Sequence, residues 1–167
     1  NRTTLTVGYT VPVASGVRGQ VTSFMNDGDV TVSLFAAGSA EPQYTVAVPA
    51  GEKSGGKYTA VYDIPEVAPG TYTMQVSKKN HVTRAYTVTV SGDAKTQNAE
   101  IWLLGDVNGD GRVNAMDYTR LLKHVNETQL LTDAYALKCA NVNRDARVNA
   151  MDYTRLLKHV NETQPLW

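Results

Sequence analysis

From residue 3 to about residue 97, apolar side chains recur at every second position, and the runs are broken by Gly, Pro and Asn or Asp. Successive side chains of a strand point to opposite faces, so this period of two predicts half-buried strands. They fall at residues 4–13, 20–25, 30–36, 43–48, 57–62, 71–77 and 83–90, with a last one near 100–104. Val, Thr and Tyr dominate these segments and suit a pleated surface. Seven or eight short strands parted by turn signals predict an antiparallel sandwich. Tyr72, Met74 and Val76, then Tyr86, Val88 and Val90, mark its buried face.

After Trp102 the period changes. Tyr118, Leu121, Leu122 and Val125, and again Tyr153, Leu156, Leu157 and Val160, recur at the three-to-four spacing of an amphipathic helix. Asn126 and Asn161 stand where asparagine ends a helix. Residues 130–140 predict a short connector helix capped by Thr132. The two long helices match because RVNAMDYTRLLKHVNETQ fills residues 112–129 and recurs unchanged at 147–164, a period of 35 residues. Two copies of one supersecondary unit, related by an approximate twofold axis, are expected.

Each copy is entered through a loop rich in oxygen donors. Counted as twelve positions, residues 106–117 offer Asp106 at one, Asn108 at three, Asp110 at five, the Arg112 carbonyl at seven, Asn114 at nine and Asp117 at twelve. A hard cation that takes six to eight oxygens needs such a series, and the set predicts calcium. Gly111, at position six, allows the left-handed backbone of the turn. Residues 141–152 repeat the pattern in depleted form with Asn141, Asn143, Asp145, the Arg147 carbonyl, Asn149 and Asp152. Asn141 replaces the first Asp and Ala146 replaces the glycine, and a left-handed alanine costs about 1–2 kcal/mol. The second site is therefore expected to hold calcium more weakly. Position twelve is Asp rather than Glu, and residues 102–105 are too short and strand-like for an entering helix, so each unit is a loop with only its exiting helix.

Duplicated loop–helix units of this length resemble dockerins, the modules that attach polysaccharide-degrading enzymes and scaffoldins to cohesin domains. Upstream, residues 67–90 (VAPGTYTMQVSKKNHVTRAYTVTV) resemble the small immunoglobulin-like or carboxypeptidase-regulatory-like domains that accompany secreted bacterial modules. Together the chain is similar to an X-module–dockerin pair of a cellulosome or amylosome. The resemblance implies a multi-domain fold: an all-β immunoglobulin-like sandwich, residues 1–100, followed by a small all-α calcium-binding dockerin, residues 101–167. The latter would comprise two F-hand repeats, 106–129 and 141–164, and a connector helix. A cohesin of a scaffoldin or cell-surface anchoring protein is the implied partner, two calcium ions are the implied cofactors, and a secreted, extracellular complex at a bacterial cell surface is the implied location. Recognition is implied at loop positions ten and eleven and the exposed turns that follow: Ala115, Met116, Thr119, Arg120 and Lys123, and in the second copy Ala150, Met151, Thr154, Arg155 and Lys158. A small residue beside methionine suits an adaptable apolar contact ringed by positive charge. Both copies carry the same letters, so two binding orientations related by a half turn are expected.

Charge and composition narrow the alternatives. Lys plus Arg equals Asp plus Glu at 16 each, which leaves no basic stripe for nucleic acid and no cationic face for a membrane surface. Apolar runs fall far short of the roughly 20 residues that span a bilayer, and an export signal is expected to lie upstream or to have been removed. The lone Cys139 is expected to be a buried, inert side chain. His81, His124 and His159 stand beside no plausible nucleophile and acid, so catalysis is not expected. A rival reading makes the strand-rich part a carbohydrate binder, since Tyr9, Tyr44, Tyr58, Tyr62, Tyr72 and Tyr86 all fall in it. Alternating tyrosines more often belong to a sandwich core or its rim. A calcium-sensing switch is a further reading, weakened by the missing entering helices. Trp102 and Trp167 bracket the repeats, Pro165 and Leu166 lie beside the latter, and facing apolar groups at the two ends are expected to form a clasp.

Overall fold

The computed structural model describes residues 15–167. The strand expected at 4–13, with Tyr9, lies outside them. One sheet orders β4 (Glu52–Ser54), β5 (Lys57–Pro65), β1 (Gly16–Ser23) and β8 (Ala94–Thr96), with β9 (Ala99–Glu100) also paired to β1. The other orders β3 (Tyr44–Val48), β2 (Val30–Ala36), β6 (Gly70–Ser77) and β7 (Arg84–Val90).

Register explains the alternation. Val32 stands opposite Val76, Leu34 opposite Met74, and Tyr72 opposite Val88, so the apolar members of three strands share one face. They meet Val17, Val21, Tyr62 and Ile64 of the other sheet in one buried cluster. Four of the six tyrosines proposed for sugar stacking serve this core. Tyr62 and Tyr72 are buried in it, and Tyr44 and Tyr86 pack against it.

Two features overturn the expected division into an all-β immunoglobulin-like sandwich followed by an all-α unit. The first sheet is mixed: β1 pairs antiparallel with β5 but parallel with β8 and β9. Alternation reports which face a side chain takes and is silent on strand direction. Beyond residue 100 the helices α1 (Ala115–Val125), α2 (Ala134–Ala140) and α3 (Ala150–Val160) span 11, 7 and 11 residues. Loops make up most of this region, because each twelve-residue Asx-rich loop is not helical until its tenth position. The whole is mostly β sheet with three short helices.

A second buried cluster holds Leu104, Val107, Leu121, Leu131, Val142, Leu156 and Leu166. Leu121 and Leu156 are fully buried where α1 packs on α3. The Tyr118 and Tyr153 rings stack at 4.7 Å with their hydroxyls hydrogen-bonded to each other. The two clusters are stitched together. Leu103 bridges His81, the Val82 N–H donates to the Trp102 carbonyl at 2.9 Å, and the Leu104 N–H donates to the Asn80 carbonyl at 2.9 Å. The Tyr135 hydroxyl accepts from the Trp102 N–H at 3.1 Å and donates to the Val82 carbonyl. Arg84 covers the Tyr135 ring at 4.5 Å.

Local details differ from expectation in three places. Asp133 caps α2 instead of Thr132, its carboxylate accepting from the Ala136 N–H at 2.7 Å. Asn126 and Asn161 do cap α1 and α3, but the left-handed residue at each end is the next one, Glu127 or Glu162. The tryptophans form no mutual clasp: Trp102 lies on Tyr135 at 5.2 Å and Trp167 on His159 at 4.9 Å. Between them it is Leu166 that closes the end of the chain, buried against Gly105.

Candidate functional site

Asp106 enters the first loop as a fully buried carboxylate. Its Oδ1 accepts from the N–H of Gly109 at 2.7 Å and of Asp110 at 3.2 Å, and its Oδ2 from that of Gly111 at 2.9 Å. Asp117, also fully buried, closes the loop: Oδ1 accepts from Val107 and Asn108, and Oδ2 from Asn114 at 2.9 Å. Asn108 and Asp110 bind each other through side chain and backbone, and Asp110 Oδ1 accepts from the Arg112 N–H at 2.9 Å. The loop thus curls around its own acids.

Those acids form no ion pair among the described residues, where the pair found is Lys57–Glu100. Burial pushes the Asp106 carboxyl up to about 6; the Gly111 and Gly109 amides oppose this, and Asp117 and Asp110 add to it. Burial also raises Asp117. A buried, unpaired acidic cluster favours a bound cation or a proton. No three His, Cys, Asp or Glu side chains converge to hold a metal by themselves among the described residues, so Asn108, Asn114 and the Arg112 carbonyl are needed to complete an oxygen set.

The second loop repeats the far side of this arrangement and loses the near side. Asp152 accepts from the N–H of Asn143 at 3.1 Å and of Asn149 at 2.9 Å, while Asp145 bonds Asn143 and the Arg147 N–H as Asp110 does its counterparts. At position one Asn141 donates through Nδ2 to the Asp145 carbonyl. Its Oδ1 is buried and has no hydrogen-bond partner. An orphaned oxygen at the position of the first ligand fits a cation there. Ala146 escapes the strain expected of it, because its φ is not positive. In this loop the left-handed residue is Arg144, φ 60°, which matches Gly109, φ 75°, at position four.

Each loop hands directly into its helix. Asn114 accepts from the Met116 N–H at 2.7 Å while Asp117 reaches back to the Asn114 N–H, a reciprocal cap that α3 reproduces with Asn149, Met151 and Asp152. Met116 and Met151 stand 64% and 67% exposed. Ala115, Met116, Thr119, Arg120 and Lys123 line one shallow depression of about 530 Å³ together with Gln129. Ala150, Met151, Thr154, Arg155 and Lys158 line another of about 460 Å³ with Gln164 and Asn143. Gln129 and Gln164 were not expected on these faces, although they hold equivalent places at the end of the repeat, and Asn143 was expected only as an ion ligand.

The histidines are structural. Nδ1 of His124 and of His159 accepts the N–H of Leu131 and of Leu166, pinning the chain that leaves each helix. His81 is buried and accepts the Phe24 N–H at Nε2, 3.0 Å, with Nδ1 at 2.7 Å from the Lys79 carbonyl. Cys139 is buried, which drives its thiol well above the usual range.

Comparison with known proteins agrees with the repeat. Residues 104–164 match the profile of the dockerin type I domain. These domains are non-catalytic interaction modules that generally bind calcium. No curated protein matches the chain. Among solved structures, a C-terminal interface mutant of the type II cohesin–X-dockerin complex from Acetivibrio cellulolyticus is 22% identical, with coverage of 87% of this chain and 94% of that one and a TM-score of 0.37. An N-terminal interface mutant of the same complex is also 22% identical, with 84% and 94% coverage and a TM-score of 0.32.

Proposed function

We propose that the chain is a calcium-dependent, non-catalytic docking element: residues 101–167 act as a dockerin for a cohesin of a scaffoldin or surface anchor, and residues 1–100 support them as an X module. The setting is a secreted, cellulosome-type complex that degrades polysaccharide. One observation carries this reading: an oxygen-lined loop caps a helix whose second residue is an exposed methionine, and the arrangement occurs twice.

Asp106, Asn108, Asp110, Asn114, Asp117 and the Arg112 carbonyl would hold the first ion; Asn141, Asn143, Asp145, Asn149, Asp152 and the Arg147 carbonyl would hold the second. Bound calcium supplies the positive charge that the buried carboxylates lack. The second site is weaker, with two carboxylates against three in the first. Asp117 and Asp152 couple the ion to docking, since each is the last loop position and also the acid of the cap that starts the helix. A folded loop therefore fixes the first turn, and with it the methionine. At an ion concentration a hundredfold above its dissociation constant, this linkage contributes about 2.7 kcal/mol to the folded state.

The partner then meets two nearly equal faces, each an apolar spot edged by Arg and Lys. Capture of the purified chain by members of a cohesin panel in calcium, and release by chelator, is the expected result. Failure of every cohesin to bind, or binding indifferent to chelator, refutes the reading.

A further inference from the structure

The repeats share their helices but not their surroundings. Gly111 lies against the ring of Phe24, a residue just beyond β1, so closely that a Cβ at the glycine would overlap Phe24 Cδ1. Gly109 lies against Trp102, whose Cζ2 would stand 2.5 Å from a Cβ there. Both glycines have left-handed backbones, φ 84° and 75°. The wall they press on is fixed from behind. Phe24 is buried, its N–H is held by His81, and Lys57 Nζ sits 5.5 Å from its ring centre. Trp102 donates through Nε1 to Glu100 at 2.9 Å and rests on Tyr135. At the same two positions the second loop carries Arg144 and Ala146, both exposed.

Resting on the calcium reading above, we propose that Phe24 and Trp102 are positioning residues for the first ion site: Phe24 of the strand-rich part and Trp102, anchored on Glu100 of β9, form an aromatic wall that holds loop one curled, so site one depends on the strand-rich part and site two does not. The link to the ligand is direct. The glycines against the wall are the ones whose amides grip Asp106, Gly109 at Oδ1 and Gly111 at Oδ2. A loop already curled has less freedom to lose when it closes on an ion, and losing the outer support of a metal ligand typically costs about 10–100-fold in affinity.

The test is calorimetric titration of the full chain with calcium alone, in the unaltered protein and in Phe24→Ala, Phe24→Leu, Gly111→Ala and Phe24→Ala/Gly111→Ala. Phe24→Ala is expected to weaken the tighter site about tenfold while the weaker site moves less than about twofold. Phe24→Leu keeps apolar volume where alanine lowers the melting midpoint of the strands, and it should give an intermediate, still site-selective loss. Gly111→Ala should cost less in the Phe24→Ala background than alone, because the steric part of its penalty is gone while the backbone strain stays. With the unaltered chain binding calcium, an equal loss at both sites, no loss at either, or the same Gly111→Ala cost in both backgrounds overturns this inference alone. No calcium uptake by the unaltered chain overturns the ion reading and this inference with it.

Discussion

Replacing Met116 and Lys123 with alanine removes one docking face and leaves the other. The structure sets the size of the effect. The helices have the same sequence, their caps agree in geometry (φ −148° and −151°, ψ −168° in both), and the two methionines differ by three percentage points in exposure. If each face binds a cohesin equally well, losing one halves the number of ways to bind. Affinity then falls about twofold, or roughly 0.4 kcal/mol from RT ln 2. Removing Met151 and Lys158 as well takes away the burial of a methionine in either orientation. That burial is worth about 1.5–3 kcal/mol, so the quadruple variant should lose about tenfold to hundredfold. All four side chains are exposed, so folding should change by no more than about 0.5 kcal/mol per residue. Titration against any cohesin that captures the chain reads both steps. A single-face variant that loses as much as the quadruple one would refute equivalence.

Leu121→Ala opens a cavity where α1 meets α3 and should lower the stability of the helical part by about 2–5 kcal/mol, and Leu156→Ala should do the same; thermal denaturation followed by circular dichroism checks both. His81 is held neutral chiefly by burial and by nearby Lys78, against the raising effects of the Lys79 carbonyl and Asp27. Its folded pKa lies below the usual 6.5, so its contribution is present above about pH 6.5 and is lost as pH falls through the folded value. The melting midpoint should drop on acidification, and His81→Gln should flatten that dependence; an unchanged slope counts against the assignment. Chelation should melt α1 and α3 while the strands persist, seen as loss of helical ellipticity with the β signal retained, and helices unmoved by chelator would contradict a folding role for the ion.

Much of this structure was legible wherever the signal is local. The Val, Thr and Phe run of β2 sits at the expected bounds, and the stripe through Leu121 and Leu156 marked the helix contact. Elements with no alternation to read were missed. β4 is Glu52–Ser54, exposed throughout, and β8 has only three residues, so both are strands by virtue of their neighbours. The parallel pairing of β8 and β9 with β1 was hidden for the same reason. Candidate ion ligands could be counted in sequence because a curled loop of fixed length maps position to direction. The wall behind the first loop could not: Phe24 and Gly111 lie 87 residues apart, and nothing in either segment names the other.

Gly109 and Gly111 show how the two halves of the repeat come to differ although their helices do not. A glycine that only needed a left-handed backbone could be replaced at modest cost, as Arg144 shows by adopting φ 60° at position four of the second loop. No such replacement is open at Gly109 or Gly111, where a side chain would have to share space with Trp102 or Phe24. Backbone preference and tertiary contact thus act on the same atoms in loop one, whereas loop two keeps a left-handed backbone only at Arg144 and leaves Arg144 and Ala146 both exposed. The docking faces, by contrast, lie on the outer sides of α1 and α3, where none of these contacts reaches. Equality of the faces and inequality of the loops are therefore compatible within one module, because they are set by separate surfaces.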